Sequence, residues 1–300
     1  MSRTFEWRAL IGALTVGLAA CGSRGAPVRA VPQEPSKVTT PVQRGHAPVN
    51  GLSMYYEVHG SAPGVPLVLL HGGGSSIEVT YGKILPFLAR HRTVIPVDEQ
   101  GHGRTTDRDQ PIRFDTSADD VATLLGVLDI PRADVMGFSN GASVALRLAI
   151  RHPTLVRRLV FASSITKKSG AAPQFWAFMQ QATFADMPQP LKDAFLRLNP
   201  DPAKLRVMHD KDLERMQNFV ETSDEEVRSV KAPTLVLLGE HDVPTVEHGL
   251  ELKRLFPRAE LLVLPGGHGE YLGELIFGKP GSPYPELSAG LIEAFLDAPE

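Results

Sequence analysis

From Val49 onward, short uninterrupted apolar runs alternate with longer stretches whose apolar residues recur at helical spacing. The runs at 66–70, 93–97, 134–138, 159–162, 234–238 and 261–264 are rich in Val and Leu and end close to Gly, Asp or Ser. Runs of this length without a polar alternate predict strands buried on both faces. Helical patterns fill 81–90, 118–128, 141–151, 246–256 and 286–297. Strand and helix taking turns in this way predict an α/β fold: a mainly parallel sheet with crossover helices on both faces. The entry differs, because Val49-Asn50-Gly51-Leu52 reads as a tight hairpin turn into 53–59, and so predicts a short antiparallel edge.

One interval breaks the alternation. Residues 165–230 hold no convincing strand but several helical patterns, punctuated by Pro173, Pro188, Pro190, Pro200 and Pro202, which predicts a helical insertion acting as a cap. Within it Phe175, Phe178, Met179 and Ala182 share one helical face. That stripe is expected to dock the insertion onto the body, the alternative being that part of it lines an acyl pocket. A Pro- and Gly-rich loop at 271–286 follows His268 with no role of its own in view.

The N-terminus is a different kind of sequence. Arg3 and Arg8 precede an uncharged stretch from Ala9 to Ala20, then the single cysteine, Cys21. As a helix that stretch would span about 18 Å, short of a hydrocarbon core of roughly 30 Å, so residues 1–21 are expected to be a removable secretion signal. Leu18-Ala19-Ala20-Cys21-Gly22 resembles the lipobox of bacterial lipoproteins, which implies lipidation of Cys21 and an extracytoplasmic protein held to a membrane by acyl chains. Glycine rather than aspartate at position 22 is similar to the pattern of lipoproteins that reach an outer membrane. Residues 22–45, rich in Pro, Ser, Thr, Gln and Val, read as a linker, leaving 46–300 as the folded domain.

Composition narrows the function. With 42% hydrophobic and 22% charged residues and a formal net charge of −3, the chain is ordinary globular protein with no excess of cations to neutralise phosphates, so nucleic-acid binding has no electrostatic basis. The sequence carries no signal for an oligomeric state and implies no cofactor.

The chemistry gathers after strand ends. Gly137-Phe138-Ser139-Asn140-Gly141 joins the strand at 134–138 to the helix at 141–151. A sharp turn there lifts a serine hydroxyl clear of the sheet, and small residues two positions either side let neighbouring backbone pass close. Ser139 is therefore the candidate nucleophile. His71-Gly72-Gly73-Gly74 follows the strand at 66–70 and can aim backbone N–H groups at a developing oxyanion, with Gly73 and Asn140 the expected donors and Gly74 the nearest rival to Gly73. No lysine follows the glycines as a phosphate-binding P-loop would require. Serine needs a base and a group to orient it: Asp242 stands past the strand at 234–238, and His268 past the last strand in Pro265-Gly266-Gly267-His268-Gly269.

With this elbow, glycine loop, Asp242 and His268, the chain from about residue 46 resembles the α/β-hydrolases that carry a helical cap, of the broad esterase, lactonase and peroxidase-like group. Asp98-Glu99-Gln100-Gly101-His102-Gly103-Arg104-Thr105 is similar to a loop of that group whose role is mainly structural. The resemblance implies a serine hydrolase acting on a small-molecule ester or related acyl substrate. Two other readings stay open: an inactive, surface-anchored binding module of the same fold, and a metal hydrolase in which His71, His102, His241 and His268 converge. A dehalogenase or epoxide hydrolase is disfavoured, since an alkyl-enzyme intermediate needs a carboxylate where Ser139 stands.

Overall fold

The computed structural model of the protein describes residues 43–299; the stretch expected to be a secretion signal, Cys21 and the expected linker up to residue 42 lie outside the described residues. The first strand, β1 (Gln43–Val49), begins inside the stretch read as linker, so residues 43–45 belong to the fold. Its first residues are polar and mostly exposed, as an edge strand with one wet face requires, which is why no apolar run announced it. β1 pairs antiparallel with β2 (Leu52–Val58) through the expected turn, in which Asn50 and Gly51 take φ 46° and 84°.

In chain order there follow β3 (Leu67–Leu70), α1 (Ile77–Tyr81), α2 (Leu85–Leu88), β4 (Val94–Val97), α3 (Phe114–Val127), β5 (Ala133–Phe138), α4 (Asn140–Arg151) and β6 (Val156–Ala162). After these come α5 (Pro173–Gln181), α6 (Gln189–Leu198), α7 (Pro202–Gln217), α8 (Asp224–Ser229), β7 (Thr234–His241), α9 (Val246–Leu255), β8 (Ala259–Gly267) and α10 (Tyr284–Leu296). The eight strands form one sheet in the order β1-β2-β4-β3-β5-β6-β7-β8, parallel from β4 to β8. Alternation hidden inside the apolar runs divides the core in two. Val68, Leu70, Ile95, Val97, Val135 and Phe161 pack with α3 and α4 on one face. Leu67, Leu69, Val94, Met136, Val160 and Leu237 pack with α1, α2 and α10 on the other.

Two expectations change. The strand foreseen at 261–264 extends over β8, but it is the sheet's edge, only partly buried, with Val263 36% exposed. Of the helix foreseen at 81–90 only the four-residue α2 forms, α1 ending at Tyr81 where it was to begin. Pro86 has no N–H to give the carbonyl four residues back, so a helix running through Gly82 cannot continue, while proline suits the first turn of α2.

No strand interrupts 165–230: α5 to α8 form a cap between β6 and β7. Met187, Phe195, Leu205 and Met208 give it a small core of its own. Phe175 does dock, together with Trp176, against Ile165, Ala171, Phe219 and Phe114. Among the described residues no helix is long and apolar enough to cross a membrane.

The turn from β5 to α4 is the tightest junction of the fold. A methyl group on Gly137 would lie 2.1 Å from the Gly141 carbonyl oxygen, and one on Gly141 would lie 2.2 Å from that of Leu70, at the end of β3. Gly141→Ala should therefore lower stability by about 3 kcal/mol or more in urea titration. Gly126→Ala, at an exposed position of α3 with nothing within 4 Å of the new methyl, should raise it by about 0.5–1 kcal/mol.

Candidate active site

Ser139 sits between the last residue of β5 and the first of α4 with φ 54° and ψ −122°. A non-glycine residue there costs on the order of 1–3 kcal/mol. The turn is held by its own backbone: Ser139 N–H donates to Ala162 O of β6 at 2.9 Å, and Ser139 O accepts from Ala142 and Ser143 at 2.9 and 3.3 Å. Its hydroxyl makes no cap bond to the helix and no hydrogen bond to another described side chain.

Asp242 and His268 are brought together. Their Oδ1 and Nδ1 atoms lie 2.6 Å apart, and the Asp242 side chain is fully buried. The carboxylate is completely satisfied: Oδ1 also accepts from Val243 N–H at 2.7 Å, and Oδ2 accepts from Gly239 N–H at 2.9 Å and from the Ser163 hydroxyl at 2.5 Å. Having given its one proton to Asp242, the Ser163 oxygen receives that of Tyr271, 2.6 Å away. Nδ1–H of His268 is thereby directed at Asp242, and the lone pair of the neutral ring lies on Nε2. The ring packs between Phe138, the neighbour of Ser139, at 4.7 Å and Phe277 at 5.8 Å between centroids. The loop at 271–286 thus supplies both an edge for His268 and, through Tyr271, a support for Ser163.

On the opposite side, a methyl group on Gly72 would lie 3.4 Å from Ser139 Cβ, which puts the glycine loop against the nucleophile. Gly72 N–H donates to Thr80 Oγ1 at 3.3 Å, and Gly74 N–H donates to Asp212 Oδ2 at 2.6 Å. Gly74 N–H is therefore engaged, whereas no described group accepts from Gly73 N–H.

Of the other histidines, His71 and His102 pack together, with ring centroids 5.1 Å apart, whereas His241 does not join them. His71 Nε2 accepts from Glu99 N–H at 3.0 Å, while its Nδ1 donates to Gly72 O at 2.7 Å. Burial holds this imidazole down at about 4, so it is neutral. His102 is also buried, which alone would lower its pKa, but the Asp212 carboxylate facing its Nε2 at 3.4 Å raises it instead. Its Nδ1 faces Gln100 O at 2.8 Å. His241 is exposed at the end of β7. Among the described residues, no three His, Cys, Asp or Glu side chains gather to hold a metal.

Sequence reasoning missed Ser163, Tyr271 and Asp212. Ser163 had a positional signal, standing just past the carboxyl end of β6. Asp212 had none, because Lys211-Asp212-Leu213-Glu214-Arg215 reads as a solvated helix face. A cavity of about 610 Å³ opens between α4, the start of α3 and the end of α7, bordered by Phe114, Ser143, Ile165, Arg215 and Phe219. Ser143 lies one helical turn beyond Ser139.

An eight-stranded, mostly parallel sheet with a serine turn after β5 and an Asp–His pair after β7 and β8 defines a hydrolase architecture. The model of the alpha/beta hydrolase fold family matches residues 65–229, and the chain belongs to that family. It is 30% identical over 234 residues to the 2-hydroxymuconate semialdehyde hydrolase of Pseudomonas sp. (strain CF600), covering 69% of this chain and 81% of that protein. Among solved structures it is similar to an N-acyl homoserine lactone degrading enzyme (27% identity, TM-score 0.64, 83% of this chain and 99% of the other). The enol-lactonase from Burkholderia xenovorans LB400 shares the fold at 22% identity, with TM-score 0.66 over 84% of this chain and 100% of that one. The protein is an enzyme of the α/β-hydrolase type.

Because His71 titrates at about 4 in the folded protein against an ordinary 6.5, the unfolded chain takes up a proton that the native one refuses. Stability should therefore fall by about 3 kcal/mol as pH drops from about 6.5 to about 4. Urea midpoints across that range should show it, and His71→Gln, though less stable at neutral pH, should give a flatter profile.

Proposed function

We propose that this enzyme is a carboxylic ester hydrolase working through Ser139, His268 and Asp242 by way of an acyl-enzyme. The observation that carries the reading is the 2.6 Å contact of His268 Nδ1 with a buried, fully hydrogen-bonded Asp242, which leaves Nε2 available on a ring packed against Phe138, the neighbour of Ser139. In this mechanism Nε2 takes the Ser139 proton as Oγ attacks the substrate carbonyl, and the oxygen of the tetrahedral intermediate accepts from the N–H groups of Gly73 and Asn140. His268 then hands its proton to the leaving alkoxide, and water, deprotonated by the same nitrogen, frees the acid. Asp242 holds the tautomer throughout and balances the imidazolium.

The similarity to a lactone-degrading enzyme supports extending the substrate class to lactones, whose cyclic ester bond needs the same steps. The cavity of about 610 Å³ beginning near Ser143 has the size of a small-molecule site and is assigned to the part of the substrate remote from the reacting carbonyl. A lipid anchor at Cys21 would present this site outside the cytoplasm, within a linker's reach of a membrane.

Incubated with a fluorophosphonate, the full chain in detergent should label once, and Ser139→Ala should not label. On p-nitrophenyl esters, Ser139→Ala should lose on the order of 10⁴ or more in kcat, and Asp242→Asn a comparable amount. Full turnover by Ser139→Ala would overturn the assignment. For the anchor, Cys21→Ser should move the protein from the membrane fraction to the soluble or precursor pool, and unchanged fractionation would remove that part of the proposal.

A further inference from the structure

Asp212 belongs to the cap yet reaches the oxyanion loop of the body. It lies on α7, and its Oδ2 accepts from Gly74 N–H at 2.6 Å across 138 residues of sequence. A methyl group on Gly73 would lie 2.7 Å from the same oxygen and 2.5 Å from Asn140 Nδ2, so the carboxylate rests against the Gly73 α-carbon and beside the side chain of Asn140.

We propose that Asp212 is a positioning residue for the oxyanion hole, fixing from the cap the peptide whose N–H is the Gly73 donor. The proposal rests on the acyl-enzyme reading above. Three successive glycines leave this loop with no side chains of its own to define it. Two hydrogen bonds do so instead. Thr80 holds the peptide before Gly72, and Asp212 holds the peptide between Gly73 and Gly74. The Gly72–Gly73 peptide is clamped between them, and its N–H is the one left for an oxyanion. Without the second clamp the loop is free to rotate, and a donor displaced by about 1 Å costs on the order of 10²-fold in rate.

A bare carboxylate beside a developing negative charge would work against catalysis. Here the charge is answered. Arg215, one turn further along α7, pairs with Asp212 Oδ1, and His102 Nε2 faces Oδ2 at 3.4 Å. Burial alone would push the Asp212 carboxyl up, but Arg215, His102 and the Gly74 N–H together hold it well below the ordinary range. Arg215 in turn faces Glu99 at 3.8 Å and stacks over Phe114 at 4.9 Å, tying α7 to two segments of the body. Asp212 therefore supplies geometry to the loop while its charge is compensated locally.

The test compares Asp212→Ala and Asp212→Asn in the full chain, with kcat expressed per fluorophosphonate-titratable serine so that lost folding is removed from the number. Asp212→Ala should lose about 10²-fold in kcat on a p-nitrophenyl ester with KM within about threefold. Asp212→Asn, which keeps an oxygen for Gly74 N–H, should recover at least about tenfold of that loss. A kcat for Asp212→Ala within threefold of wild type overturns the proposal, as does a loss confined to KM or an equal loss in both variants. Should Asp212→Ala not fold, Thr80→Val releases the other clamp: a kcat loss at constant KM supports the proposal, and an unchanged kcat overturns it. A folded wild-type chain with no titratable serine would overturn the serine-hydrolase reading and this inference with it. An Asp212 effect absent from a normally titrating enzyme touches this inference alone.

Discussion

The close passage of β3, β5 and α4 at the Ser139 turn is the constraint from which the rest of the site follows. Leu70 O and His71 O lie where a side chain at Gly141 would stand, and Gly141 O lies where one at Gly137 would stand. Backbone therefore meets backbone, and the end of β3 is locked against the start of α4. Because the glycine loop leaves β3 at that point, it has no choice but to lie over the serine. The same closeness forces Ser139 into a backbone conformation that only its bond to Ala162 and the first turn of α4 make tenable.

A second convergence depends on sheet order. β6, β7 and β8 are neighbours, and each contributes to the burial of one carboxylate: Ser163 from the exit of β6, Asp242 from the exit of β7, His268 from the exit of β8. Ser163 shares the φ of 54° found at Ser139, so the exits of two adjacent strands both store backbone strain. A buried carboxyl side chain in this position is tolerable because four donors surround it, and a fifth group, the Tyr271 hydroxyl, leaves the Ser163 proton no other destination.

Much of this is legible in the sequence alone. Runs such as 67–70 and 134–138 are apolar at every position because they are wet on neither side, and the elbow is written in residues that the crowding demands. The limits were equally physical. β8 has the composition of a buried strand but lies at the edge, since sheet position is set by partners far along the chain. The break at Pro86 required asking which carbonyl loses its donor. Polar β1 carried no signal because its outward face meets water. Asp212 was hidden by its neighbours: in a run of charged residues, nothing local says that one of them turns inward to meet a loop 138 residues away. The candidate nucleophile, base and acid follow from local pattern, whereas the groups that support them follow from packing.

The cap is a single continuous insert between β6 and β7, the arrangement most open to exchange during divergence, since both ends attach to strands that stay paired with each other. The Gly74 N–H limits that freedom. Its partner comes from α7, so a body fitted with an unrelated cap inherits a polar group with nothing to bond, along with His102 deprived of the carboxylate that faces its Nε2. Transplanted caps must therefore carry an acceptor at this one point, or the recipient loop must be rewritten with them. Substrate range in this lineage can drift along the cap's surface far more readily than at the depth of Asp212.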